Sequence, residues 1–155
     1  SEFTSRYNPN AMTVVAKFVV PYAWPTINGR GLMWFNSGTN ARGIALVAAV
    51  ENGVLSAVQR DDSGAQITAS LPIPAAGTVC TALMSFTPAA TNFALNGASA
   101  AASGSRGVMT IDRLHVHESR ASGSNLGPLN CALLKAAWYP YAASQAECAA
   151  MSLSE

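Results

Sequence analysis

The sequence predicts an all-β fold, an antiparallel two-sheet sandwich finished by one short C-terminal helix. Three observations predict it. Apolar and β-branched runs recur at a spacing of about ten residues, each bounded by Gly, Pro, Asn or Asp, which is the rhythm of a β-sandwich. No apolar stretch continues far enough to make a long helix before Gly, Pro or Asn-Gly interrupts it. Near the C-terminus, Ser144 stands at an N-cap position with Glu147 three residues later, the spacing of a capping box.

Residues 1–11 (SEFTSRYNPNA) are polar and turn-rich and read as a lead-in; residues 12–155 read as a single domain. Met12–Val20 is the first strand, stopped by Pro21, and Tyr22-Ala23-Trp24-Pro25 begins a loop with two exposed aromatics. Gly31–Phe35 and Ile44–Val50 follow as strands, then the hairpin turn Glu51-Asn52-Gly53, since Asn-Gly favours the type I′ geometry. Val54–Gln59, the tip Asp61-Asp62-Ser63-Gly64 and Ala65–Leu71 complete an antiparallel meander. Thr78–Phe86 and Asn92–Leu95 are strands, and Asn96-Gly97 is another hairpin signal. Ala98–Gly107 reads as small and flexible, and Arg120–Pro128 as a loop. Ile111–Glu118 alternates, with Leu114 and Val116 toward the core and Arg113, His115 and His117 on the opposite face. The run Leu129–Tyr139 is a closing strand; Pro140 ends it, and Gln145–Ser152 is the capped helix.

Composition narrows the function classes. The chain has 155 residues, enough for one domain with its own core. Half of it is apolar and only 11% is charged, against roughly 25% in an average soluble domain. A surface of Ala, Ser, Thr, Gly and Asn is buried against a neighbour at little desolvation cost, so assembly with other copies is expected. Its nine basic residues do not cluster and the formal charge is +1, which argues against nucleic acid. No apolar run approaches 18 residues, so no membrane-inserted helix is expected. Cys80, Cys131 and Cys148 match no zinc spacing; they read as buried thiols, with a Cys131–Cys148 bridge open if the helix lies over the last strand.

The ending LNCALLKAAWYPYAASQAEC, residues 129–148, carries a family resemblance. It resembles the C-terminal lectin-like domains of bacteriophage tail and fibre proteins, which often end in L-N-G-H-I-x-R-x-x-Y-Y-P-R-x-L-S-x-A-E-L. Leu129, Asn130, Leu133, Lys135, Tyr139, Pro140, Ser144, Ala146 and Glu147 match that pattern, whereas Cys131 and Cys148 stand where Gly and Leu are expected. Tyr7-Asn8, Asn96-Gly97 and the Leu114/Val116 strand fall in the same order as similar units of those domains. The resemblance implies a concanavalin A-like (laminin-G-like) jelly roll, a place in a virion and a longer protein preceding this segment. Partners would be other virion proteins and copies of itself, commonly threefold, and a host cell-surface glycan.

Some enzymes of the implied fold are glycoside hydrolases, which set two carboxylates on one strand at close spacing. Asp61 and Asp62 are adjacent in a turn, and Asp112 and Glu118 lie roughly 20 Å apart along a strand. Glu2, Glu51, Glu147 and Glu155 sit at turns or termini, and no G-x-S-x-G, P-loop or HExxH occurs, so the expectation is a protein that is not an enzyme. Relatives of the fold hold Ca²⁺ on rim loops, where Asp61 and Asp62 are the available acids, but Asp-Asp-Ser-Gly is an ordinary hairpin tip, so no cofactor is expected. His115 and His117 share a strand face but lack an evident third metal ligand. The candidate ligand-binding residues are Tyr22 and Trp24, as platforms for a pyranose ring, and Arg113, His115 and His117, as hydrogen-bonding groups. The alternatives are a purely architectural virion piece, bound only to other virion proteins, and a bacterial lectin or adhesin module.

Overall fold

The computed structural model describes residues 8, 10–22, 30–37, 43–49, 53–116, 119–121, 124–126 and 131–155; residues 30, 48–49, 115, 119–121 and 124–126 are described by backbone position alone. Twelve strands appear among them, β1 (Met12–Val19), β2 (Arg30–Asn36), β3 (Gly43–Ala49), β4 (Val54–Arg60), β5 (Gln66–Pro72), β6 (Val79–Thr87), β7 (Ala90–Leu95), β8 (Ala98–Ser103), β9 (Arg113–Val116), β10 (Ser119–Ala121), β11 (Ser124–Leu126) and β12 (Leu133–Tyr139). One helix, α1 (Gln145–Ser154), ends the chain as described.

Two five-stranded antiparallel sheets form the sandwich. The first has the order β12-β1-β6-β7-β8 and the second β5-β4-β3-β2-β9; β10 and β11 make a separate hairpin, with β10 against β2. The inner faces alternate as a half-buried strand should. From the first sheet come Met12, Val14, Ala16, Phe18, Cys80, Ala82, Met84, Phe86 and Phe93; from the second come Met33, Phe35, Ile44, Leu46, Leu55, Ala57 and Ala69. Phe18, Phe35, Phe86 and Phe93 are fully buried, each contributing about 1.5–3 kcal/mol of hydrophobic stabilisation.

The outer face of the first sheet is closed by α1. Val15, Leu83 and Ala94 point outward from it and pack with Ala143 and Cys148 into a second apolar cluster. Polar pins fix the approach. Thr13 Oγ1 donates to the Tyr141 carbonyl at 2.7 Å and accepts from Ala143 N at 2.9 Å, and Ser85 Oγ donates to the Ala143 carbonyl at 2.6 Å. Both halves of the capping box are made, Glu147 N donating to Ser144 Oγ and Ser144 N to Glu147 Oε2. The hairpin between β7 and β8 turns on Asn96 and Gly97, both with positive φ (48° and 87°), as a type I′ turn requires.

Three expectations change. The alanine-rich segment after Asn96-Gly97 is not flexible: residues 98–103 form β8, because the turn delivers them in register to β7 and backbone pairing does not need large side chains. Within the expected loop after Arg120 lies a hairpin, β10–β11. A Cys131–Cys148 bridge is ruled out, since Cys131 packs toward the inner core and Cys148 under the helix, on opposite sides of one sheet. Burial pushes each of the three thiols up to about 11. The turn at Asn52 and the loop from Ala23 to Gly29 lie outside the described residues.

Candidate ligand-binding face

The outer face of the second sheet has a different character. Residues pointing away from the core alternate with Ile44, Leu46, Leu55 and Ala57, and register places them in rows across the strands. One row runs Thr68, Val58, Ala45, Trp34, His115. The next pairs Gln66 with Arg60, Arg60 with Gly43, and Asn36 with Arg113. Ser56 and Ser70 form a further polar pair, their hydroxyls 2.8 Å apart. Among the described residues, no helix covers this face.

Trp34 lies on β2, beside the edge strand β9. Its register partner Ala45 is 2% exposed, and its indole Nε1 is buried with no hydrogen-bond partner among the described residues. A buried donor without an acceptor costs about 1–3 kcal/mol. His115 occupies the register position opposite Trp34, and Arg113 the position opposite Asn36. Arg113 and Asp112 form a two-pronged ion pair, Nε to Oδ1 at 2.7 Å and Nη2 to Oδ2 at 3.2 Å, and this pairing raises the arginine's pKa further. Leu114 turns inward as expected; Val116, expected in the core, is 42% exposed at the strand end.

The rim at this end of the sandwich is knit by polar groups. Gln59 Nε2 donates to the carbonyls of Thr87 and Ala90 (both 3.0 Å) and to Thr91 Oγ1 (2.9 Å), tying the second sheet to the first. Its Oε1 accepts from buried Arg106 Nε at 2.5 Å. Asp61 Oδ1 accepts from Ser63 N, Ser63 Oγ and Ala65 N, and Oδ2 accepts from Gly107 N. Those donors, Gly107 foremost, bring its carboxyl down to about 2. Both oxygens are thus committed to the turn. Asp62 accepts from Thr110 Oγ1 at 2.9 Å, anchoring the connection into β9.

The five candidate residues are not gathered in one place. Tyr22 is 90% exposed at the end of β1, its hydroxyl beside Gly77. That rim is joined to β6 at Thr78, whereas Arg60 and Arg113 lie at the rim where β6 ends in Thr87. The two rims are separated by the length of β4, roughly 20 Å. Trp24 and His117 lie outside the described residues, and His115 is placed by its backbone only. Trp34, Arg60 and Gln66 were not singled out by the sequence, because their place on this face depends on strand pairing.

No protein-family model matches the sequence, and no curated protein matches it. Solved structures do. The CBM40 of the Ruminococcus gnavus IT-sialidase, bound to alpha2,3 sialyllactose, is similar with a TM-score of 0.69 at 15% identity, covering 92% of this chain and 83% of that chain. Domains LG4-5 of the mouse laminin alpha1 chain give 0.59 at 16% identity, over 90% of this chain and 40% of that one. A botulinum neurotoxin type C structure, concerned with interaction with two ganglioside molecules, gives 0.70 at 6% identity, over 99% and 37%. At such identities the likeness is one of fold: this is a jelly roll of the concanavalin A-like, lectin-like kind.

Proposed function

We propose that this domain is a non-catalytic glycan-binding module, borne on a phage or phage-like particle, where it assembles with copies of itself and other virion proteins and attaches to a host cell-surface glycan. One observation carries the glycan reading: of the two outer sheet faces, one is shut beneath α1 and the other presents an indole among amide, hydroxyl and guanidinium groups. A pyranose offers an apolar ring face and a rim of hydroxyls, and such a surface meets both. The carbohydrate-binding modules among the similar folds support the same class of ligand. The 129–148 ending and the sparse charge support the virion setting.

The described carboxylates support a non-catalytic role, since each already has a structural partner. Asp61 and Asp62 hold the rim, Asp112 holds Arg113, Glu147 completes the cap, and Glu155 pairs with Lys135. A second reading, an architectural piece bound only to other virion proteins, draws on exposed Tyr22, Val79, Leu134 and Leu153. An array of bacterial surface polysaccharides separates the two. Retained glycans, weakened on changing His115→Ala or Trp34→Phe with the melting point little changed, are the expected result. An array without signal, with light scattering showing a self-assembled particle, would replace the glycan reading by the architectural one.

A further inference from the structure

Two described arginines on this face are in different electrical states. Arg113 is gripped by the Asp112 carboxylate. Arg60 has only a neutral partner: Nε and one Nη2 hydrogen both go to Gln66 Oε1, and Gln66 is itself held by donating from Nε2 to Thr68 Oγ1 at 2.6 Å. Among the described residues no carboxylate faces Arg60. Its chain neighbour Asp61 is committed to the rim turn through both oxygens. A guanidinium has five N–H donors, so the edge made by Nη1 and the remaining Nη2 hydrogen is left over. Beside Arg60 in register stands Gly43, at φ 123°, where an added Cβ would lie 2.0 Å from the Phe35 carbonyl oxygen. A side chain there would strike the backbone of β2, so main chain alone separates Arg60 from Asn36, which is itself buried. Arg113 closes the row from the far side, roughly 14 Å from Arg60 by three strand spacings.

A cation oriented by an amide, with a donor edge left over and no carboxylate partner among the described residues, suits an oxyanion. We propose that Arg60, held by Gln66, is the anion-recognising residue of this face, and that the glycan bound is an acidic one bearing a carboxylate or sulfate. The inference rests on the glycan reading above and adds its chemical class. The Nη1/Nη2 edge takes the anionic group in a two-pronged contact, while the sugar ring extends along the Ala45–Trp34 row.

The test uses the whole chain on an array in which each carboxylated glycan is printed as free acid and methyl ester, and each sulfated glycan with its desulfated form. Binding to the acidic members, weakened about tenfold or more by esterification or desulfation, is expected, that being the scale of one charge-assisted contact. Arg60→Gln should weaken acidic binding to the same extent with an unchanged melting point, and Arg60→Lys should restore part of it. Equal binding of esterified and free forms, or acidic binding untouched by Arg60→Gln, overturns this inference and leaves the glycan reading in place. No binding to any glycan overturns both.

Discussion

At the scale of single residues, Trp34 and Asp61 show how an unsatisfied and a saturated polar group differ in meaning. Trp34 leaves an indole N–H buried and unanswered among the described residues. Trp34→Phe removes that donor and some volume, two changes of opposite sign in stability, so the net change should stay within about 1 kcal/mol. Glycan binding should nevertheless fall several-fold, because the ring face shrinks and a donor is lost. A denaturant melt beside a binding isotherm checks both. Asp61 has no such freedom. Its carboxyl is depressed to about 2 by the donors on it, so the folded state holds its proton less readily than the unfolded chain does. The stability it contributes is complete above the ordinary carboxylate range and is lost as pH falls toward 2. Melting points taken from pH 5 down to pH 2 should drop for the native chain, and drop less steeply for Asp61→Asn, which starts lower.

At the scale of elements, the strands were legible wherever apolar, β-branched runs stand between turn residues, as in β1, β4, β5 and β6. The helix was legible from its cap alone, and the structure makes both reciprocal bonds. Ser144→Ala should cost about 1 kcal/mol, or roughly 3 °C of melting temperature for a domain of this size, measured by calorimetry. β8 was hidden because its Ala and Ser side chains carry no periodic signal; its register comes from the Asn96-Gly97 turn before it. The β10–β11 hairpin was hidden in Ser, Gly and Asn, which serve loops and tight hairpins alike. The candidate face was half legible. Alternation was enough to set Arg113 on one side of β9 and Leu114 on the other. Trp34 needed the pairing of β2 with β9, a long-range contact, and the strand read from the sequence stops at Gln59, whereas β4 continues to Arg60.

At the scale of the whole molecule, the fold divides labour between its sheets. One sheet is closed on its outside by α1, through Thr13, Ser85 and the Ala143–Cys148 cluster. On the other, no helix lies outside among the described residues, and the rim network of Gln59, Asp61 and Arg106 holds the edge at which Arg60 and Arg113 stand. Tyr22 belongs to the opposite rim, so a ligand on the Arg60–Arg113 row and a neighbour against Tyr22 do not compete. Titrating the isotopically labelled chain with fragments of host-surface polysaccharide, and following backbone, indole and arginine Nε–H signals by NMR, tests this division most directly. The account predicts shifts at the Trp34 indole, at Arg60 and Arg113 and along β2, β3 and β4, with α1 silent. Shifts confined to α1 and the sheet beneath it, or none with any fragment, would contradict it.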